Sequence, residues 1–258
     1  MLIEERQSRL EALIARRGTA DLQTLSAELN VSQSTIRRDL EVLESRGIVR
    51  RTHGGVIFAG HGATPRTPYS YAFDQRMDVL ADAKRAMARA AAARVEPGQT
   101  VLIDGGTTTF YLAQELLSKA LQIVTNSLPI ANVFLNVKGV ELILTGGVLY
   151  PRYGVLLGPM ADSALSAIHA SVMFLSVAGV HEASLFNQNL LMVQTQRRMM
   201  EQAQKVVLLA DSSKFGQQAL ARLGGLDEID TVVTDAGLDQ VWRQRVEAAG
   251  CELVISPQ

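Results

Sequence analysis

At 258 residues the chain is long enough to bury two separate cores, one small and one medium. Hydrophobic residues at 47%, charged residues at 20% and a net charge of −1 describe an ordinary globular protein and exclude a charged tail or a polycationic surface. No apolar run reaches membrane-spanning length, and Glu4, Glu5 and Arg6 stand where a secretory signal needs an apolar stretch, so a cytoplasmic protein without a membrane partner is expected.

The first predicted element is a helix over about 4–17, with Leu10, Leu13 and Ile14 on one side and Gly18 at its end. Asp21 is placed to cap a second, short helix whose Leu22, Leu25 and Leu29 share a face. A turn at Asn30 and Val31 follows, and Ser32 can accept from the free amides that open a third helix at about Gln33. Ile36, Leu40 and Leu43 form the packing stripe of that helix, while Gln33, Ser34, Arg37, Arg38 and Glu41 point away from it. Gln, Ser and Arg side chains hydrogen-bond base edges and phosphates, and a recognition helix brings its first turns to the bases. After Gly47, Ile48-Val49 and Val56-Ile57 read as two strands joined through the permissive Gly54-Gly55, a wing carrying Arg50, Arg51 and His53.

Three helices at this spacing plus a wing predict a winged helix-turn-helix over residues 1–57, with Ser32, Gln33, Ser34, Thr35, Arg37, Arg38, Arg50, Arg51 and His53 as its DNA contacts. Paired arginines alone describe a solvated helix face; cap, turn, helix and wing together carry the stronger reading. Nine arginines against eight acidic residues in this stretch leave binding to local clustering rather than to bulk charge.

Gly60, Gly62, Pro65 and Pro68 interrupt any periodicity, so residues 58–75 are expected to be a linker, with Phe73 and Arg76 docking its end onto the second domain. Residues 76–258 then alternate helix and buried strand. An Ala-rich helix runs to Arg94, and apolar runs lie at 100–104, 123–125, 141–144, 172–177, 206–210, 231–234 and 252–255, with helices such as 110–117 and 193–203 between them. The expected fold class is α/β: the N-terminal winged helix-turn-helix joined to a larger, Rossmann-like α/β domain whose sheet is mostly parallel.

Ligands of parallel sheets bind beyond the strand carboxyl ends, and the residues there are polar. Asp104-Gly105-Gly106-Thr107-Thr108-Thr109 follows the first run and opens a helix, a natural anion cradle; Asn126-Ser127, Thr145-Gly146-Gly147 and Asp211-Ser-Ser-Lys214 follow later ones. Lys214 suits a phosphate, and Asp104 and Asp211 suit sugar hydroxyls. Taken singly, the glycine pairs also read as tight turns, the aspartates as helix caps and Lys214 as a surface residue. Cys251 is the single cysteine, read as a packing residue, and His53, His61, His169 and His181 lack ligand spacing, so neither metal nor cofactor is expected.

Ser34-Thr-Ile-Arg-Arg-Asp-Leu40 and Arg51-Thr-His-Gly-Gly55 resemble the DNA-binding domain of the DeoR-type bacterial repressors, and Asp104-Gly-Gly-Thr-Thr-Thr109, Thr125-Asn-Ser127, Thr145-Gly-Gly147 and Asp211-Ser-Ser-Lys-Phe215 resemble the loops of its sensor domain. The resemblance covers essentially the whole chain. It implies a repressor of a carbohydrate catabolic operon, relieved by a phosphorylated sugar or related metabolite, with operator DNA as partner and no catalytic residue. That sensor fold is similar to ribose-5-phosphate isomerase and glucosamine-6-phosphate deaminase, so the alternative is such an enzyme fused to a DNA-binding domain. Two departures are visible: Gly105 stands where the family more often has Ser, and Ser176-Val-Ala-Gly179 lacks the acidic residue many members carry. Leu185-Phe-Asn-Gln-Asn-Leu190 reads either as a selectivity segment or as a plain loop before a helix. One winged helix covers one half-site, so a dimer or tetramer is expected, held by residues 76–258.

Overall fold

The computed structural model describes residues 3–17, 19–45, 48–51, 55–58 and 73–257. Its contacts divide the chain into two compact units, Met1–Ser70 and Tyr71–Gln258. Gly18, Gly47, His53, Gly54 and most of the expected linker lie outside the described residues, as do the side chains of Arg50 and Arg51.

The first unit runs α1 (Ile3–Arg17), β1 (Thr19–Asp21), α2 (Leu22–Leu29), α3 (Gln33–Ser45), β2 (Val49–Arg51) and β3 (Gly55–Phe58). The Asp21 carboxylate accepts from the Thr24 amide at 2.8 Å and so starts α2. Asn30, left-handed at φ 52°, ends that helix, and Ser32 Oγ accepts from the Thr35 amide at 3.3 Å to start α3. Leu10, Ile14, Leu25, Ile36, Leu40 and Leu43 close one core with Val49 and Val56. This burial offsets the cost of ordering so short a unit.

Strand β1 is absent from the sequence pattern; it pairs antiparallel with β3 to give the sheet order β1-β3-β2. Gly55, expected in the turn, instead belongs to β3 opposite Asp21. A Cβ at Gly55 would lie 2.4 Å from the Ala20 carbonyl oxygen, so this glycine lets two backbones close rather than bending one.

The second unit continues with α4 (Phe73–Met77), α5 (Ala81–Ala92), β4 (Thr100–Ile103), α6 (Thr107–Glu115), β5 (Leu121–Thr125), α7 (Leu128–Phe134), β6 (Val140–Leu144), β7 (Val148–Tyr150), β8 (Val155–Leu157) and α8 (Pro159–Leu165). It is completed by β9 (Val172–Ser176), β10 (Gly179–His181), β11 (Ser184–Asn187), α9 (Leu190–Glu201), β12 (Val206–Leu209), β13 (Ala221–Gly225), β14 (Thr231–Thr234), α10 (Gln240–Ala248) and β15 (Glu252–Ile255). The seven apolar runs of the sequence are the seven strands of one parallel sheet, ordered β15-β14-β12-β9-β4-β5-β6. Its strands read as continuous apolar runs because helices cover both faces. Leu102, Val124, Met173, Leu175 and Leu208 face one core, and Val101, Ile103, Ile123, Phe174 and Leu209 face the other. The end of the expected linker does dock: the Phe73 ring meets Phe110 edge-on with centroids 5.5 Å apart.

The antiparallel additions are new. The hairpin β7-β8 and the three-stranded sheet β10-β11-β13 are built from strands of three to five residues, too short for a period-2 pattern to show. Leu185–Asn187 is therefore strand rather than loop, and Asn189 caps α9, its side-chain oxygen accepting from the amides of Leu191 at 2.8 Å and Met192 at 3.1 Å.

Candidate functional site

On α3 the packing stripe is fully buried, while Ser32, Gln33, Ser34, Arg37 and Arg38 are exposed and Thr35 is half-buried. Three hydroxyls crowd its first turn, with Ser32 Oγ 2.8 Å from Ser34 Oγ and 2.9 Å from Thr35 Oγ1. Arg37 and Arg38 form no ion pair with any described residue, which leaves both guanidinium groups open to an outside anion. Asp39 separates itself from them. It is buried on the opposite side, accepting from Arg6 Nε at 2.6 Å, Arg6 Nη2 at 3.1 Å and Gln7 Nε2 at 3.2 Å. This bidentate clamp fixes the rotation of α3 against α1. Sequence reasoning missed it, although an acidic residue one turn before the Leu43 stripe position was the available signal.

In the second unit the sheet order locates the ligand crevice. The chain builds outward from β4 through β5 to β6, then returns to lay β9 on the other side of β4. Loops leave β4 and β9 in opposite directions there, and open α/β sheets bind ligands at such a point. A cavity of about 230 Å³ sits there, lined by Gly105, Gly106, Thr107 and Thr108 after β4, Ser176, Val177 and Ala178 after β9, and Asp211, Ser213 and Lys214 after β12. Arg76, Lys84, Arg152, Tyr153, Asn187, Gln188 and Met192 complete its wall.

Gly106 opens α6 without any side-chain cap, so the first amides of that helix face the cavity with no competing carboxylate. A Cβ at Gly106 would fall 2.1 Å from Ser176 Oγ, and one at Gly105 would fall 2.2 Å from Val155 Cγ1. Backbone, not side chain, forms this floor, and Val155 occupies the volume that a serine at 105 would need.

The cations of the cavity are short of partners. Arg76 lies over the Tyr153 ring at 4.5 Å and Arg152 over the same ring at 5.3 Å. Arg76 Nε and Nη2 and Arg152 Nε are buried without any hydrogen-bond partner among the described residues. Lys84 is almost fully buried and donates from Nζ to the Arg76 carbonyl at 2.6 Å; burial lowers its pKa to about 8, with the Asp211 charge pulling the other way. Asp211 is the single carboxylate among the lining residues, and it accepts from the amide of Ser213 at 3.1 Å and from its hydroxyl.

Asp104 is placed differently from its sequence expectation. Its carboxylate turns away from the cavity, accepting from Gln196 Nε2 at 2.7 Å and from the Ser176 amide at 3.4 Å. Burial pushes its pKa up to about 7, against the lowering effect of those hydrogen bonds. Gln196 in turn accepts from Asn187 Nδ2 at 2.9 Å, and the neighbouring Gln188 accepts from the Tyr153 hydroxyl. A buried polar chain thus joins the Gly105 loop, α9 and β11.

Of the expected effector residues, Gly105, Gly106, Thr107, Thr108, Asp211 and Lys214 line the cavity. Thr109, Asn126, Ser127, Gly146 and Gly147 do not. Thr109 Oγ1 donates to the Gly106 carbonyl, Ser127 Oγ caps α7 by accepting from the Ile130 amide at 3.4 Å, and Asn126 Nδ2 reaches the Leu156 carbonyl at 3.5 Å. Gly147, at φ 118°, is turn backbone, and a Cβ there would lie 2.8 Å from the Leu157 carbonyl oxygen. These loops follow β5 and β6, which lie lateral to the switch point. Strand ends are visible in sequence; their lateral order is not. The residues that sequence reasoning missed, Arg76, Lys84, Arg152 and Tyr153, come from helices and a hairpin rather than from strand ends.

Among the described residues no helix is long and apolar enough to cross a membrane. Two family descriptions match the chain: a DeoR-like helix-turn-helix domain over residues 6–61 and a DeoR C terminal sensor domain over residues 80–236. The HTH-type transcriptional regulator GlpR of Haloferax volcanii is 35% identical across 98% of both chains. A putative aga operon transcriptional repressor of Escherichia coli O157:H7 is 32% identical over 97% of this chain and 93% of that protein, and the glycerol-3-phosphate regulon repressor of Escherichia coli K12 is 31% identical over 90% of each. With both of its units matched and these relatives aligned end to end, the chain belongs to the DeoR family of DNA-binding transcriptional regulators.

Proposed function

We propose that the protein represses a carbohydrate catabolic operon in the cytoplasm and loses operator affinity when a phosphorylated sugar or related metabolite fills the switch-point cavity. One observation carries this reading: the uncapped α6 N-terminus at Gly106 opens into the same cavity as Lys84, Lys214, Arg76 and Arg152, with a single carboxylate beside them. The phosphoryl group is held by the Gly105–Thr108 backbone and Lys214, and Ser176, Asn187 and Gln188 meet sugar hydroxyls. On the DNA side, Gln33, Ser34, Arg37 and Arg38 enter the major groove while Ser32 and Thr35 shape the helix start, and Arg50, Arg51 and His53 contact the backbone from the wing. Names of relatives agree in kind, two of the three above being repressors.

Repression requires two half-sites, so the protein acts as a homo-oligomer. Exposed Ile143 and Leu144 on the edge strand β6, with Val148 and Leu149 beside it in sequence, offer an apolar surface for that assembly. Effector acts by binding one of two conformations better, and a coupling of about 1–3 kcal/mol gives a several-fold to hundred-fold change in operator affinity. Fluorescence anisotropy on promoter DNA beside the protein's own gene, repeated across a panel of sugar phosphates, tests this. Tight, competitor-resistant binding reversed by a phosphorylated sugar is the expected result; binding indifferent to every compound would remove the sensor half of the reading.

A further inference from the structure

The cavity carries more positive charge than one phosphoryl group can use. Four cations and one carboxylate line it, an excess of three positive charges, whereas a phosphate monoester brings about −1.5 to −2 at pH 7. These charges are also sorted. Lys84 feels the charges of Asp211 and Lys214 ahead of that of Arg76, and so groups with Lys214, which is assigned to the phosphoryl. Arg76 and Arg152 form a second group that shares the Tyr153 ring, and the charge of Arg152 disfavours that of Arg76.

Two guanidinium groups sharing one aromatic ring, with three buried nitrogens unpartnered and no carboxylate in contact among the described residues, are incomplete as a structural device. The Tyr153 ring they share is itself held, its hydroxyl donating to Gln188 and its ring stacked on Tyr150 at 5.7 Å. What completes such a pair is an anion accepting from both, the bidentate role for which guanidinium is suited and ammonium is not. The same cavity wall includes the neutral polar side chains of Ser176, Asn187 and Gln188.

From this sorting we infer that the effector carries two anionic groups, one held by the α6 N-terminus with Lys84 and Lys214 and the other by Arg76 and Arg152. The inference rests on the cavity being the effector site. A sugar bisphosphate and a phosphorylated sugar acid share the required chemistry. The charge-bearing end at Arg76 and Arg152 selects against monophosphates of the same skeleton, because leaving three buried guanidinium nitrogens unpaired is costly.

Isothermal titration calorimetry of the full chain with two matched pairs tests it: fructose 6-phosphate against fructose 1,6-bisphosphate, and glucose 6-phosphate against 6-phosphogluconate. The second anion is expected to tighten binding by about 30-fold in at least one pair, and which pair responds separates phosphate from carboxylate. Arg152→Gln and Arg76→Gln are each expected to bring that ratio below about threefold. Two variants are used so that misfolding of one leaves the other to read the ratio. Equal affinities within both pairs, or a preference that survives both substitutions, would overturn the inference and leave the sugar-phosphate reading standing. Binding of none of the four compounds would overturn both.

Discussion

Helix α3 carries Gln33, Ser34, Arg37 and Arg38 on neighbouring turns of one element, all exposed, whereas the cavity gathers Arg76, Lys84, Arg152 and Lys214 from a helix, a second helix, a hairpin and a single 3-10 turn. The first surface is made by one periodicity and needs only that α3 be held at the right rotation. The second is made by topology and needs the whole sheet to be assembled in one order. The contrast extends to water: the α3 arginines stay solvated until DNA arrives, while the cavity guanidinium groups are already partly stripped of solvent and biased toward an anion.

The largest effect expected from breaking this comparison is at the core of the small unit. Leu40→Ala removes a fully buried side chain from a core that holds eight buried apolar residues among those described and should cost about 2–5 kcal/mol, a large share of what so small a unit can hold. Operator binding measured by anisotropy should be lost while calorimetric binding of the sugar phosphate persists. Loss of both together would show that the two units do not stand independently.

Smaller and more selective effects separate the two surfaces. Lys214→Ala should leave operator affinity intact and raise by about tenfold the metabolite concentration that releases DNA, since one charge-assisted contact is removed. Arg37→Ala or Arg38→Ala should do the reverse: operator affinity falls, the slope of log affinity against log salt drops by about one, and the melting temperature holds because neither side chain is buried. A salt slope unchanged in both variants would remove these arginines from the phosphate contacts.

Legibility in the sequence divides along the same line. The caps at Asp21 and Ser32, the Ile36-Leu40-Leu43 stripe and the seven apolar runs are local patterns, and each became the element expected of it. Strand β1 was not legible because three residues carry no period, and its pairing with β3 is set by the absence of a Cβ at Gly55. For the sensor, the sequence displays polar residues at the ends of several strands, but only those after β4, β9 and β12 meet at the switch point. Asn126, Ser127, Gly146 and Gly147 have the same chemical character but do not line that cavity. Arg152 and Tyr153 carry no signal at all, since a turn between two short strands looks like any surface loop.

The smallest expected effect concerns Asp104, which stands between the two kinds of site: behind the effector cradle, but read by no ligand directly. Its carboxyl is fully buried, receives hydrogen bonds from Gln196 and the Ser176 amide, and has a pKa raised to about 7 against about 3.8 for the unfolded chain. Between those values the unfolded chain has released its proton and the folded one retains it. Stability is therefore highest below about pH 4 as far as this group is concerned, declines as pH rises toward 7, and stays at its reduced level above that. Asp104→Asn keeps an oxygen for Gln196 and Ser176 without the charge, so its melting temperature should fall less than that of the parent between about pH 5 and pH 8, by a few degrees. The same substitution bears on the effector, because an ionised Asp104, the residue before Gly105, opposes an anion arriving at the α6 N-terminus. At about pH 5 both proteins present a neutral group there and should bind the sugar phosphate alike; at about pH 8 the Asn variant should bind more tightly. A variant that gains stability at the higher pH without gaining affinity would make Asp104 a burden on the fold alone, and would place the effector's anion away from the Gly105 loop.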